Sequence, residues 1–286
     1  MGGLLPSPWA HDFEQLVESA EQSLVLCAPF VGAGPCRVIA NRIEKLGRSD
    51  SVEVHILTDL CRDNLLSGVT DVASLMRLAE ALPRTTIRFL PSLHAKIYVA
   101  DERRAIVTSS NLTDNGMLRN FEYGVRFDER DQVIAVRNDV LRYSALASSI
   151  NRAQLQQFVQ ITQDLRELAR AAQRSIKRTL HEEFERRLAA ADIEILRART
   201  GGRTAHGIFA AAILHLLRDG PMRTVDLNRS IQRIHPDLCD DAVDRVIDGQ
   251  HFGKKWKHGV RTAQVFLRRA GRIERVAGSW RLAPKG

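Results

Sequence analysis

The chain has 286 residues, of which 44% are hydrophobic and 27% charged. This composition is typical of a soluble globular protein and excludes a largely disordered one, and the length suggests two or three domains. No apolar stretch approaches the ~20 residues of a membrane-spanning helix, and the first residues show no signal-peptide pattern. The four cysteines are scattered, without the spacing of a zinc site. We therefore expect a reduced, cytoplasmic protein with no membrane partner.

The positive charge of the chain is concentrated at its C-terminal end. Lys and Arg number 42 against 34 Asp and Glu, which gives a net charge of +8. Residues 201–286 hold 16 basic and 8 acidic residues, so the preceding 200 residues are neutral. A neutral body with a basic tail indicates a polyanionic partner for the tail, most often nucleic acid. The alternative is a basic face that only water contacts.

Residues 1–138 alternate strand and helix patterns, which indicates a layered α/β domain. A short turn at 100–103 predicts an antiparallel hairpin between the strands on either side of it. Asp71 is the expected N-cap of a helix. We predict strands at 23–29, 52–57, 86–90, 95–100, 104–108 and 121–127, and helices at 37–46 and 71–82.

Residues 139–200 contain neither proline nor glycine and are predicted to form long amphipathic helices. Periodicity does not say what covers an apolar stripe. The helices could cap the first domain, or they could serve as a dimer contact or a spacer. Two glycines at 201–202 then mark a domain boundary. One stripe consists of Leu155, Phe158, Ile161, Leu165 and Leu168, and the second consists of Ile176, Leu180, Phe184 and Leu188.

Residues 201–286 have the element order of a winged helix-turn-helix domain. Helices are predicted at 208–217, from 224, at 240–248 and at 260–269, followed by a strand-turn-strand unit at 273–282. In the helix at 260–269 we expect Phe266 to point inward and Gln264 outward, beside the inward Val260, Ala263 and Leu267 and the outward Arg261 and Arg268.

The most specific pattern in the chain begins at His94. If 95–100 is a strand, alternate side chains share a face, so that His94, Lys96 and Tyr98 project together. Lys96 would then hold a positive charge beside the imidazole. The same ammonium could neutralise a bound phosphate as a point charge.

Short polar side chains follow one strand later. Ser109 and Asn111 stand where a strand ends, and such hydroxyl and amide groups can donate hydrogen bonds to phosphoryl oxygens. Glu122 opens the next strand, and its carboxylate could orient an imidazole as the acid of a nucleophile triad does. Together these residue types indicate chemistry at phosphorus.

These residues resemble the motif of the phospholipase D superfamily, His-x-Lys-x4-Asp followed by a small-residue turn and Asn. His94, Lys96 and Asp101 match its spacing, and residues 108–111 stand where the family has Gly-Ser-x-Asn. The departure is Thr108 in place of glycine. Residues 120–122, Asn-x-Glu, are similar to the nuclease branch of the family. The resemblance implies a layered α/β/α fold for residues 1–138.

The resemblance also implies a mechanism. The family uses two facing motifs, and here no other histidine is followed by lysine two residues on, so a homodimer with one shared site is implied. One His94 would attack phosphorus and form a phosphohistidine, while the partner copy's His94 would protonate the leaving oxygen. Lys96 and Asn111 would stabilise phosphoryl charge, Glu122 would orient the imidazole and Ser109 would add a donor. Asp101 would be structural, and neither a metal nor another cofactor is implied.

The basic tail predicts the substrate class. In a winged helix, the helix at 260–269 would lie in the major groove and the turn at 277–279 would approach phosphates. Arg261 and Gln264 are the candidate base readers. The candidate phosphate contacts are Lys254, Lys255, Lys257, Arg261, Arg268 and Arg275.

Our hypothesis is a metal-independent DNA endonuclease, with 1–138 as catalytic domain, 139–200 as long helices and 201–286 as a DNA-binding winged helix. Its similarity to restriction endonucleases that join such a dimer to a recognition domain suggests restriction or phage defence, with further defence proteins as potential partners. Two alternatives stay open. One is a DNA-binding regulator that uses the phospholipase D-like body only to dimerise. The other is a phosphodiesterase or transferase acting on phospholipids.

Overall fold

The computed structural model describes residues 2–173, 178–200, 204–247 and 249–284, except for the side chains at 170–182. The chain divides into two compact units, Met1–Gly201 and Gly202–Gly286. Within the described ranges, no helix combines the length and the apolar character that crossing a membrane requires.

The first unit alternates strands and helices along most of its length. Each strand predicted within residues 1–138 is present, with ends that agree to within two residues. In chain order the elements are β1 (Gly3–Pro6), α1 (Ala10–Ser19), β2 (Ser23–Cys27), α2 (Ala33–Lys45), β3 (Glu53–Thr58), α3 (Arg62–Ser67), α4 (Val72–Ala81), β4 (Thr85–Phe89), β5 (Ile97–Ala100), β6 (Arg104–Thr108), α5 (Asp114–Leu118), β7 (Tyr123–Phe127), α6 (Arg130–Ser144), β8 (Ser148–Ile150), α7 (Arg152–Gln173) and α8 (Arg178–Thr200).

The strands of this unit form a mixed eight-stranded sheet within the described residues, in the order β1-β7-β6-β5-β2-β3-β4-β8. The neighbours β2–β3 and β3–β4 are parallel, and the other pairs are antiparallel. Side chains such as Leu26 and Tyr98 point from the sheet into the main apolar core, where α1, α2, α4 and α7 pack. On the opposite face α6 packs against β5 and β6 and buries Val133 and Val140. The predicted layered α/β class is confirmed.

Two predicted local features are present, the N-cap of α4 and the hairpin between β5 and β6. The Asp71 side chain accepts a hydrogen bond from the backbone N–H of Ser74 at 3.1 Å, so it caps α4 as expected. The turn after Ala100 joins β5 and β6 as an antiparallel hairpin. Because β7 also pairs antiparallel with β6, three consecutive strands form a meander at one side of the sheet.

Residues 139–200 contain a strand as well as helices, which corrects the prediction of helices alone. The predicted boundary at 138 falls inside α6, and β8 pairs with β4 in the main sheet. The apolar stripe of α7 packs into the core of the first unit, where the rings of Phe158 and Phe89 meet edge to face at 6.3 Å. Four of its five residues are therefore covered within the chain, and Leu168 is half-buried. Of the second stripe, Leu188 lies in the same core, whereas Ile176 and the side chain of Leu180 lie outside the described residues. The strand β8 could not be predicted from the sequence, because three residues are too few to show the alternation of a strand.

The second unit contains three helices packed together and two small antiparallel sheets in its described part. α11 approaches α9 closely at Gly259, where a Cβ would lie 2.9 Å from the Phe209 ring. β9 and the β12–β13 hairpin form a three-stranded sheet, and β10 pairs with β11. The elements are α9 (Ala205–Leu216), β9 (Met222–Arg223), α10 (Thr224–Ile234), a 3-10 turn (Pro236–Leu238), β10 (Asp244–Ile247), β11 (Gln250–Lys254), α11 (Lys255–Arg269), β12 (Ile273–Val276) and β13 (Ser279–Leu282).

The helix predicted at 240–248 is wrong, because the described part of this stretch contains β10. Gly249 and Gly253 adopt left-handed φ values of 79° and 83°. Glycine reaches such values without steric penalty, so these two positions permit a tight, bulged hairpin where we expected a helix. The apolar residues between 243 and 247 then belong to a strand and its approach.

Candidate functional site

Three polar stretches meet at one edge of the main sheet. Residues 94–96 precede β5, residues 109–113 follow β6 and residues 120–122 precede β7. Since these strands are successively antiparallel, the start of β5, the end of β6 and the start of β7 lie side by side. Backbone hydrogen bonds from Thr108 N to Lys96 O (3.1 Å) and from Ser109 N to Tyr123 O (3.0 Å) hold the stretches together. We call residues 94–96, 109–113 and 120–122 the site edge.

His94 and Lys96 are in contact within the site edge. The Nζ atom of Lys96 lies 3.2 Å from Nδ1 and 3.3 Å from Nε2 of His94, and it donates to the His94 backbone carbonyl at 2.9 Å. Lys96 is buried, whereas His94 is exposed. The sequence therefore predicted the pairing of imidazole and ammonium, but not the local backbone, because β5 begins one residue after Lys96.

Tyr98 does not share the site with these two residues, which corrects the prediction of a common face. Its side chain is fully buried and stacks on Trp9, with ring centroids 5.5 Å apart. The Tyr98 hydroxyl donates a hydrogen bond to the Ser110 carbonyl at 2.9 Å. Tyr98 therefore anchors the loop that carries Asn111 from inside the core.

Burial and a nearby carboxylate act in opposite directions on Lys96. Burial lowers the pKa of Lys96 from its usual value, and the negative charge of Glu122 raises it in part. Cys27 lies behind the site, with its Sγ atom 3.9 Å from the Ala95 carbonyl. Burial raises the pKa of the Cys27 thiol to about 12, so this group is neutral at physiological pH. Because the thiol carries no charge, it does not offset the positive charge that Lys96 places next to the His94 ring.

Glu122 binds groups of the site edge other than the imidazole. Its carboxylate accepts hydrogen bonds from the Ser109 hydroxyl and from Nδ2 of Asn120, the latter at 3.2 Å. Its backbone N–H donates to the Ser7 hydroxyl at 2.7 Å. Among the described residues no hydrogen bond joins Glu122 to His94, so the expected orientation of the ring by Glu122 is not seen within one chain. The ring contact of His94 is Lys96.

The departure from the motif at Thr108 is accommodated by the neighbouring strand. Thr108 pairs with Gly124, where an added Cβ would lie 2.7 Å from the Thr108 Cβ. A second glycine, Gly116, lets α5 approach the loop, because a Cβ there would meet the Ser110 hydroxyl at 2.5 Å. Asn111 lies on this loop, and its Oδ1 atom is buried without a hydrogen-bond partner among the described residues. The loop is thus held closely while one amide oxygen stays unpaired.

Asp101 lies at the other end of β5, away from the site edge. It adopts a left-handed φ of 53°, and its carboxylate accepts hydrogen bonds from the backbone N–H groups of Glu21 and Gln22 at 2.9 Å and of Ser23 at 2.7 Å. Asp101 thus joins the β5–β6 turn to the start of β2. These contacts support the structural role that the resemblance implied.

The second unit presents a basic surface at α11. Lys257, Arg261 and Arg268 are exposed along one side of this helix, and Val265 lies between them with 45% of its side chain exposed. Lys255 is also exposed at the start of the helix. The spacing of four, four and three residues places the stripe on one helical face.

Two of the predicted basic contacts have partners within the unit. Lys254 forms an ion pair with Asp244 at 2.9 Å, which raises the pKa of Lys254. The Arg275 guanidinium lies over the Trp280 ring at 5.8 Å, and it remains exposed. Lys254 is therefore a weaker candidate for a phosphate contact than Lys255 or Lys257.

Gln264 is buried, which corrects its prediction as an outward base reader. α11 begins at Lys255, and its inward face follows Trp256, Val260 and Leu267. Gln264 is one helical turn from Val260 and so falls on the same face. Phe266 is 64% exposed, although we predicted it inside. Val265 is not among the sequence-predicted contacts of the exposed stripe, because an apolar residue in a helix is expected to be buried.

Part of the first unit matches a known protein family. Residues 13–142 match the family described as cardiolipin synthase, PLD-like domain. The chain contains a phospholipase D-like domain. The matched residues include the whole site edge. No curated protein matches the chain.

Solved structures share similarity with the phospholipase D-like domain. Nuc, a phospholipase D family member from Salmonella typhimurium, is 16% identical over 53% of this chain and 98% of its own, with a TM-score of 0.44. NucT from Helicobacter pylori is 15% identical over 50% of this chain and 94% of its own, with a TM-score of 0.41. Phosphatidylserine synthase from Haemophilus influenzae is 18% identical over 61% and 44%, with a TM-score of 0.46. At such low identities and TM-scores, none of these activities carries over to this chain.

Proposed function

We propose that the protein is a DNA endonuclease that hydrolyses phosphodiester bonds through a phosphohistidine, in a site shared by two copies of the chain. The observation that carries the proposal is the contact between the Lys96 ammonium and the His94 imidazole in a phospholipase D-like domain. Ser109, Asn111 and Glu122 lie at the same edge of the sheet. This is the set of groups that nucleophilic attack on a phosphodiester needs, a nucleophile, a fixed positive charge and hydrogen-bonding side chains.

The proposed reaction has two steps. The imidazole of one His94 attacks phosphorus, an N–P bond forms and the P–O bond to the leaving group breaks. The His94 of the second copy gives a proton to the leaving oxygen. It then takes a proton from water as the water oxygen attacks phosphorus, and the N–P bond breaks. Lys96 and Asn111 of both copies stabilise the charge on the phosphoryl oxygens, and the chemistry uses no metal.

An apolar surface beside the site supports the shared-site arrangement. Leu4 and Tyr123 lie on one face of the paired strands β1 and β7 and are 71% and 56% exposed. Phe121, next to Glu122, is fully exposed. Exposed apolar patches of this kind mark interaction sites, and a symmetric dimer would cover the same patch on both copies. A contact here would bring two site edges together.

The second unit supports DNA as the substrate. Apart from the β10–β11 hairpin between α10 and α11, its elements follow the order of a winged helix-turn-helix. The stripe of Lys257, Arg261 and Arg268 on α11 would contact the duplex. The turn at 277–278 between β12 and β13 would act as the wing. A nuclease joined to such a domain carries its own means of binding DNA. This combination suits a role in restriction or phage defence.

The test is cleavage of supercoiled plasmid in EDTA by the wild type, by His94→Ala and by the control variant His11→Ala. His11 is an exposed histidine on α1 outside the site edge. We expect nicking or linearisation by the wild type and His11→Ala, and none by His94→Ala. Cleavage by His94→Ala would overturn the mechanism. Tight duplex binding without cleavage by any variant would favour the DNA-binding regulator instead.

A further inference from the structure

The hairpin between α10 and α11 is the most exposed part of the second unit's described residues. In β10 and β11 every residue is exposed except Asp244 and Lys254, which are half-buried. A two-stranded hairpin is only marginally stable in water unless further strands or a helix pack against it. Here the hairpin stands where a helix-turn-helix has only a turn.

One face of this hairpin carries two exposed apolar side chains, beside Gln250. Ile247 pairs with Gln250, and Phe252 follows two residues later, so Ile247 and Phe252 share a face. Their side chains are 44% and 48% exposed. Val246 lies on the opposite face beside His251. The first face therefore presents an aromatic ring and a branched aliphatic chain to solvent, and neither belongs to the core of the unit.

Both signs of charge lie near this face, because Asp244 pairs with Lys254 and Asp241 lies near Lys257, and two lysines follow the hairpin directly. Lys255 and Lys257 are exposed on the first turn of α11, directly after β11. The whole unit carries 16 basic and 8 acidic residues. An apolar face next to a basic helix end is complementary to duplex DNA, which offers phosphates outside and apolar base surfaces inside a groove.

The hairpin is fixed to α11, so its orientation follows that of the helix. The Nε2 atom of His258 lies 2.7 Å from the Phe252 carbonyl, and its Nδ1 atom lies 3.1 Å from the Arg245 guanidinium. Because a carbonyl can only accept and a guanidinium can only donate, Nε2 carries the proton. The backbone N–H of Lys255 also donates to the Val243 carbonyl at 2.9 Å. One histidine of α11 thus links both strands.

We propose that the β10–β11 hairpin is a second DNA-contacting wing, in which Ile247 and Phe252 contact bases while Lys255 and Lys257 contact the adjacent phosphates. The inference rests on DNA being the partner of this unit. It assigns base contact to the hairpin, a role that the α11 stripe and the β12–β13 turn would otherwise hold alone. Apolar side chains that enter a groove unstack the base step they contact.

The experiment compares the full-length protein with Phe252→Ala and with the control variant Phe266→Ala, and all three carry His94→Ala so that the duplex is not cleaved. The protein that has both phenylalanines is called the wild type in this comparison. Phe266 is also an exposed phenylalanine of this unit, but it lies on the side of α11 opposite Lys257 and Arg261. The probe is a 30-base-pair duplex that carries 2-aminopurine, whose fluorescence rises when its base unstacks. Affinity is measured from 50 to 200 mM salt, and thermal unfolding checks that each variant is folded.

We expect the wild type and Phe266→Ala to raise 2-aminopurine fluorescence on binding. Phe252→Ala should lose the rise and bind about tenfold more weakly, as expected for one base–aromatic contact. Its salt slope should be unchanged, because the phosphate contacts remain. Replacing Lys255 and Lys257 with alanine should instead lower the slope by about one per lysine.

The outcomes separate the wing from the proposed function. Equal affinity and equal fluorescence for Phe252→Ala and the wild type would overturn the wing and leave DNA binding intact. Failure of the wild type to bind any duplex would overturn both. Self-association of the wild type that Phe252→Ala abolishes would identify a second copy, and not DNA, as the occupant of this face.

Discussion

The pKa of Lys96, and with it the charge of this side chain, depends on the groups around it. Its ammonium contacts the His94 ring, burial lowers its pKa and the Glu122 carboxylate raises that pKa in part. In the proposed reaction Lys96 acts in its protonated form. Activity should therefore be lost as the pH rises through the pKa of Lys96, which lies below the usual 10.5.

Replacing Glu122 with glutamine should move this alkaline limit to lower pH. The substitution removes the negative charge that raises the pKa of Lys96, so the lysine loses its proton earlier. The measurement is the pH–rate profile of plasmid cleavage. The quantity compared is the position of its alkaline limb, which is the pH range over which the rate falls, and not the rate alone. Glu129→Gln, at the exposed N-cap of α6, is the control and should leave the limb in place. An unmoved limb in Glu122→Gln would contradict the assignment to Lys96.

Asp101 should be needed for stability and not for the chemistry. Asp101→Ala removes hydrogen bonds from three backbone N–H groups, and we expect the free energy of unfolding to fall by about 2 kcal/mol or more. Urea unfolding measures this loss. The control is Glu102→Ala, which removes an exposed ion pair with Arg130 and should change stability little. A stable but inactive Asp101→Ala protein would contradict this role, since Asp101 lies a full strand away from the site edge.

At the scale of elements, short strands and helix phases were harder to predict than long periodic segments. β8 has three residues, and within the described part of the chain it joins the sheet through its pairing with β4. In α11 the predicted faces were wrong for two residues. Gln264 lies one helical turn from Val260 and is buried with it, whereas Phe266 falls on the side away from Val260 and is 64% exposed.

The packing of α7 on the sheet predicts a large loss of stability when its central ring is removed. Phe158 is fully buried and contacts Phe89 of β4 edge to face. Phe158→Ala should lower the free energy of unfolding by about 3–5 kcal/mol through lost burial and the cavity left behind. Gln157→Ala, at the exposed neighbouring position, is the control. A small change in Phe158→Ala, measured by urea unfolding, would mean that α7 does not hold to the sheet in solution.

At the scale of the whole molecule, each chain has one copy of the motif, and the proposed site needs two. Leu4→Asp introduces a charge into the exposed apolar face of β1 and β7 without altering the site edge. We expect a dimer for the wild type and a monomer for the variant by light scattering at micromolar concentration. Cleavage by the variant should be weak and should recover as its concentration rises, because association limits it.

The matched control is Leu46→Asp, which places the same charge at an exposed leucine after α2. It should stay dimeric and active. A wild-type chain that is monomeric and cleaves DNA at a rate proportional to its concentration would contradict the shared site. A dimer that survives Leu4→Asp would place the contact on another face.

The sequence by itself determined the class of the first unit and the composition of the site edge. Strand patterns of five or six residues and the spacing His94-x-Lys96 are local, so they can be recognised without knowledge of the fold. The same holds for the basic character of residues 201–286, which depends only on composition.

Only the tertiary structure decided which of these groups meet and which are covered. In the folded chain Tyr98 and Gln264 are buried, and the Glu122 carboxylate binds Ser109 and Asn120. The stripe of α7 packs against the core of the first unit. Each of these outcomes depends on residues distant in sequence, because burial and hydrogen bonding follow from packing between elements and not from the local pattern.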